Sequence, residues 1–135
     1  MNTPPEAEIF LVKAHTSLAG AESEFANGRY NNCANRCSYA CFQAAIAALI
    51  RAGVSPPNPR AEWGHAFVQA QFAARLIDRR KEYPGSLRDL LSRLLSLRQT
   101  GDYRTEHVSE TQAERAVRRA RNFVQAIQAK AGRGR

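Results

Sequence analysis

No stretch of this sequence approaches the ~20 consecutive apolar residues that a membrane-crossing helix needs. Nor does it open with a basic segment, an apolar run and a small-residue cleavage site; a soluble, cytoplasmic protein is the expectation. Cysteine is scarce: Cys33, Cys37 and Cys41 are the only three. Their odd number, and a spacing of four that stacks them on one helix face, argue against a disulfide framework. A thiolate metal site would need further ligands, and no Cys or His pair elsewhere has zinc spacing, so no metal or cofactor is expected. Packing as small buried side chains is the reading for all three. Sustained period-two alternation is missing, β-branched residues are sparse, and no internal repeat is found. Phosphate-binding loops, His-Glu-x-x-His and strand-turn-helix nucleophile motifs are missing too, which removes the common enzyme classes.

What remains is helix. With 44% hydrophobic and 24% charged residues the composition is that of a folded domain rather than a disordered tail. A single domain over 1–135 is expected, fraying at 1–4 and 131–135. Five helical segments emerge. In the first, about Pro5 to Phe25, Ala7, Leu11, Ala14, Leu18, Ala21 and Phe25 recur at spacings of four and three, a bundle-facing stripe. Asn27-Gly28 supplies residues that tolerate a left-handed helix end. The second, about Arg29 to Ala52, is apolar on nearly every side, with only Ser38 and Gln43 polar between Cys37 and Ile50, so it belongs in the middle of the bundle.

After the proline-rich loop 53–59, a third helix is read over about Ala61 to Arg80, with His65, Val68, Phe72 and Leu76 on one face. A fourth, about Leu87 to Thr100, is dense in leucine; Ser86 and Asp89 are read as its cap and acidic first turn, and Gly101 as its breaker. Ser109 and Gln112 then form a capping box. It opens a fifth helix whose Ala113, Ala116, Ala120, Phe123, Val124 and Ile127 face inward. The fold class is all-α, an antiparallel up-and-down bundle of four to five helices.

Charge is uneven. Residues 1–86 carry +2 and residues 87–135 carry +6 of the net +8. A basic C-terminal half suits an anionic partner such as RNA, DNA or an acidic protein, and Arg104, Arg115, Arg118 and Arg119 are the candidate nucleic-acid contacts. A solvated face that keeps the protein soluble is the plainer alternative. Chemistry centres on the run LRQTGDYRTEHVS, which holds Arg98, Asp102, Tyr103, Arg104 and His107. Leu87, Leu91 and Leu94 lead to Arg98 along one face, so an apolar stripe ends in a guanidinium able to grip phosphate bidentately. Asp102, four residues on, can orient it if the helix persists that far. His107 can exchange a proton near neutral pH. The alternative is structural: an Arg98–Asp102 capping pair, Tyr103 as a loop anchor and a solvated His107. His65 reads as an edge-of-core side chain, and His15 as a histidine on an amphipathic helix.

The sequence resembles the HEPN domain family, and more narrowly its small single-domain prokaryotic members. The resemblance runs from FANGRYNNCANRCSYACFQAAIAALIRAG through His65 and Phe72 to LLSLRQTGDY and ends with HVSETQAERAVRRARNFVQAI. It implies an antiparallel helical bundle paired as a homodimer. It further implies a metal-independent ribonuclease of a toxin–antitoxin or stress-response system, in which an Arg-x4-6-His motif serves attack of the RNA 2′-hydroxyl on the adjacent phosphate. Other members partner minimal nucleotidyltransferases or bind without cutting. Arg98 aligns with the motif's arginine, but His107 follows after eight intervening residues, outside the window. Arg60 and His65 also stand at Arg-x4-His spacing, but at the start of the third helix, and that match is read as coincidence. The expected site is therefore Arg98 for phosphate, Asp102 and Tyr103 to position it, and His107 as acid/base. The competing expectations are a noncatalytic nucleotide- or protein-binding module and, last, a duplex DNA binder using the fifth helix.

Overall fold

The computed structural model describes residues 4–56, 58, 62–103 and 107–133, with residues 103 and 131–133 described by backbone alone. Among them no strand occurs, and the elements are α1 (Pro5–Ala26), α2 (Tyr30–Arg51), α3 (His65–Gln71), α4 (Leu90–Tyr103) and α5 (Glu110–Arg133). A π-helical segment, Phe72–Arg79, continues α3, and a single 3-10 turn, Gly85–Leu87, precedes α4.

The periodicity of α1 translates directly into burial. Ala7, Leu11, Ala14, Leu18 and Ala21 are buried, and Phe25 packs against Tyr30 at 5.7 Å between ring centroids. Gly28, at φ +74°, ends the helix in the conformation a Cβ disfavours. The chain then reverses into α2, the central helix, which packs against α1, α3, α4 and α5. Cys33, Cys37 and Cys41 are fully buried free thiols within it. Small side chains there let neighbouring helices approach closely. Burial pushes the Cys41 thiol well above its usual pKa, so it stays protonated.

Cross-helix contacts fix the directions. His15 meets Gln128 at 2.9 Å and Arg121 donates to Glu22, so α1 and α5 run antiparallel. Asn35 reaches Asp102 and Tyr39 receives a bond from Arg98, so α2 and α4 do as well. The bundle is the expected up-and-down one. Phe72 joins it from the α3 side by packing on Phe123 at 5.4 Å and Tyr83 at 5.3 Å. Helices α4 and α5 both lie on α2 but scarcely on each other, and a groove opens between them.

Three boundaries differ from expectation. α3 starts at His65 rather than near Ala61, which itself lies outside the described residues, and its second half winds as π-helix. With i→i+5 bonds, adjacent Leu76 and Ile77 both become buried. α4 starts at Leu90, after the 3-10 turn, so Ser86 is not its cap. The helix also passes through Gly101 instead of breaking there. The reason is packing: a Cβ on Gly101 would lie 3.2 Å from Asn31 Cα and 3.1 Å from Asn31 Cβ. Glycine is present so that α4 can cross α2 closely. The capping box forms as expected, with Gln112 N–H donating to Ser109 Oγ at 3.1 Å and Ser109 N–H to Gln112 Oε1 at 2.9 Å. No helix among the described residues is long and apolar enough to cross a membrane.

Candidate functional site on the α2–α4 face

Asn31, Asn35 and Tyr39 recur every four residues on α2 and form one polar edge of the helix. Each meets groups from α4 or from the connector that leads to α5. Asn31 Oδ1 accepts the Val108 backbone N–H at 2.9 Å, and its Nδ2 lies 3.4 Å from His107 Nδ1. Asn35 Nδ2 donates to Asp102 Oδ2 at 3.0 Å. Tyr39 Oη accepts from Arg98 Nη2 at 3.3 Å, while the Arg98 guanidinium carbon stands 4.9 Å from the Tyr39 ring centroid. Cation–π attraction and the hydroxyl contact together hold the guanidinium over the ring.

Helix α4 persists far enough for Asp102 to reach back to Arg98, with Nε 3.2 Å from Oδ2. That separation is an ion pair, but the N–H is not aimed at the carboxylate, and Nε is buried without a hydrogen bond. A buried donor left unmade costs about 1–3 kcal/mol. Arginine carries five N–H donors, and among the described residues only the one bond to Tyr39 Oη uses them. The side chain is 16% exposed, so most of this charge is shielded from solvent beside the Asp102 carboxylate.

A second histidine, His65, lies within electrostatic reach of the Arg98 charge. As the first residue of α3 it stacks on Phe42 of α2, with ring centroids 4.1 Å apart and an interplanar angle of 28°. Burial first, and then the positive charge of Arg98, hold its pKa below the ordinary 6.5. His65 is therefore neutral at physiological pH and able to accept a proton.

His107 belongs to a different place. It is exposed in the connector before α5 and touches Asn31, eight residues or ~12 Å along α2 from the Tyr39 that contacts Arg98. With Gly28, Arg29, Tyr30, Asn31, Asn32 and Val108 it lines a separate open pocket of about 410 Å³. Of the expected site residues, Arg98 and Asp102 come together. The Tyr103 side chain and all of Arg104 lie outside the described residues, as does Arg60. Arg115, Arg118 and Arg119 are exposed on α5, where Arg118 pairs weakly with Glu114 at 3.8 Å. Tyr39 and Asn35 are contacts of Arg98 and Asp102 that sequence reasoning missed, whereas His65, stacked on Phe42, is the edge-of-core side chain expected. The four-residue recurrence of Asn31, Asn35 and Tyr39 was the available signal. No cluster of three or more His, Cys, Asp or Glu side chains suited to a metal occurs among the described residues.

The family model for the HEPN domain matches residues 7–130, nearly the whole chain. The chain belongs to the HEPN domain family. No curated protein matches it. HEPN domains are generally associated with ribonuclease or nucleotide-related functions.

Proposed function

We propose that this HEPN protein acts on RNA as a metal-independent endoribonuclease of a toxin–antitoxin or stress-response system. The observation that carries the reading is Arg98: flanked by Asp102 and Tyr39, it has spare donors and stands near a neutral His65. Arg98 binds the scissile phosphate through its free N–H groups and stabilises the charge that builds on it. A neutral histidine takes the proton of the RNA 2′-hydroxyl, whose oxygen attacks the adjacent phosphorus. The bond to the 5′-oxygen breaks, that oxygen takes a proton from water, and a 2′,3′-cyclic phosphate and a 5′-hydroxyl end result. Proximity to Arg98 favours His65 over His107 as the base. Asp102 positions the arginine, with Tyr103 following it at the end of α4. Pairing as a homodimer, as expected of the family, is supported by large apolar side chains left exposed on α1, Ile9 at 53% and Val12 at 62%.

The test is cleavage of a single-stranded RNA oligonucleotide in a chelating buffer. Wild type should cut. Arg98→Ala should lose ~10²–10³-fold in rate, the usual loss when a charge-stabilising donor is removed. His65→Gln should reduce the rate and alter its pH profile, whereas His107→Gln should leave both in place. No cleavage by wild type, or an unaffected Arg98→Ala, ends the ribonuclease reading. Equal losses for the two histidine variants would refute the choice of base.

A second reading has one observation in its favour: Arg98 and the expected acid/base His107 contact Tyr39 and Asn31, eight residues apart on α2. On that reading the protein is a noncatalytic nucleotide- or protein-binding module, partnered by a minimal nucleotidyltransferase. Stable co-purification with such a partner, together with RNA left intact by the protein alone, would select it.

A further inference from the structure

The groove between α4 and α5 is distinct from the Arg98 site. Arg93, which borders it, is five residues from Arg98 on the same helix and so about 140° away around the axis. Two adjoining cavities make up the groove. One, of about 220 Å³, is lined by Arg93, Leu94, Leu97, Arg115 and Arg119 among others. The next, of about 150 Å³, shares Arg93 and Arg119 and adds Leu87 and Leu90. From Leu97 to Leu90 the floor spans seven residues of α4, ~10 Å at helical rise.

Charge and shape agree on what fits. No acidic side chain lines either cavity. The side chains of Arg93, Arg115 and Arg119 make no ion pair or hydrogen bond among the described residues, although Arg118 on α5 has found Glu114. The floor between them is leucine, with Leu87 and Leu97 half-buried near its two ends. Each cavity is smaller than the ~300–1,000 Å³ of small-molecule sites and matches single aliphatic side chains. No aromatic ring lines the groove, so bases would have nothing to stack on.

We propose that this groove docks an acidic amphipathic helix of a partner protein. Two leucine-sized side chains of that helix would enter the cavities, and its carboxylates would pair with Arg93, Arg115 and Arg119. This is the helix-in-groove mode, with apolar anchors for affinity and rim charges for register and selectivity.

The probe is a fluorescent helical peptide of about 14 residues, with leucines at i, i+3, i+7 and i+10 and glutamates beside them. Its comparators are the same peptide with lysine for glutamate and a uridine decanucleotide. The acidic peptide should bind wild type, and binding should fall by at least about tenfold in Arg93→Glu and in Arg119→Glu. Arg79→Glu, an equal charge change elsewhere, should leave it intact. Should a charge reversal disturb folding by circular dichroism, Arg93→Gln and Arg119→Gln supply the same comparison. These readouts do not involve RNA cleavage, so they stand or fall apart from the Arg98 proposal. Four results overturn the docking proposal. These are failure of the acidic peptide to bind, equal binding of the lysine peptide, tighter binding of the oligonucleotide with displacement of the peptide, and a light-scattering mass of two chains that Arg119→Glu reduces to one. The last would make a second copy of this chain the occupant.

Discussion

Replacing Gly101 with alanine sets two opposed effects against each other, and the structure decides between them. Inside a helix, alanine is favoured over glycine by up to about 1 kcal/mol through backbone entropy alone. Against that, the new Cβ would sit 3.1 Å from Asn31 Cβ, 3.2 Å from Asn31 Cα and 3.3 Å from Asn31 Cγ. One of these neighbours is backbone, so no rotamer change relieves the contact, and overpacking of this kind costs about 1–3 kcal/mol. The net expectation is destabilisation of about 1 kcal/mol. In urea, where small domains have m near ~2 kcal/mol per molar, the unfolding midpoint should fall by ~0.5 M. Gly20→Ala is the matched control. Its Cβ would meet only the flexible Arg36 side chain, 3.5 Å away at the closest, which is ordinary contact. Within α1 the same entropy gain should then appear unopposed and raise the midpoint by a similar amount. An unchanged or raised midpoint for Gly101→Ala would refute the close-crossing argument.

Other expectations follow from single groups. The folded-state pKa of His65 lies below 6.5, so the unfolded chain takes up its proton first as pH falls. Its contribution is present above pH 6.5 and is lost as pH drops below it toward the folded value; His65→Phe should show a shallower stability decline across that range, and an identical decline would count against the assignment. Cys33, Cys37 and Cys41, fully buried, should resist a thiol reagent at pH 8 until the protein is unfolded; rapid native labelling would contradict their packing role. Asn31→Ala strips the buried Val108 N–H of its acceptor and should cost about 1–3 kcal/mol, with faster amide exchange at Val108 as its local mark.

Much of the architecture was legible because it is local. The α1 stripe, the apolar α2, the Ser109–Gln112 box and the inward face of α5 are patterns written within one helix, and periodicity exposes them. Gly101 misled because a glycine inside a helix and a glycine ending one look alike until the crossing helix is placed. The π-helical turn after Gln71 likewise leaves no pattern distinct from an α-helical one. Of the site, the Arg98–Asp102 pair was readable, being a four-residue interval on one helix. Tyr39 was not, since it reaches Arg98 from another helix, 59 residues before it. Long-range neighbours of that kind are set by how helices pack, which composition and spacing do not encode.

The missing side chain at Gly101 also works as an index notch. Where α4 crosses α2, one position alone on α4 is bare enough to seat against Asn31, so the two rods can engage in a single register. Slide α4 by one turn and the guanidinium three residues upstream travels ~5.4 Å, leaving the Tyr39 ring behind. The placement of that guanidinium is thereby delegated to a hydrogen atom standing where a methyl group would jam.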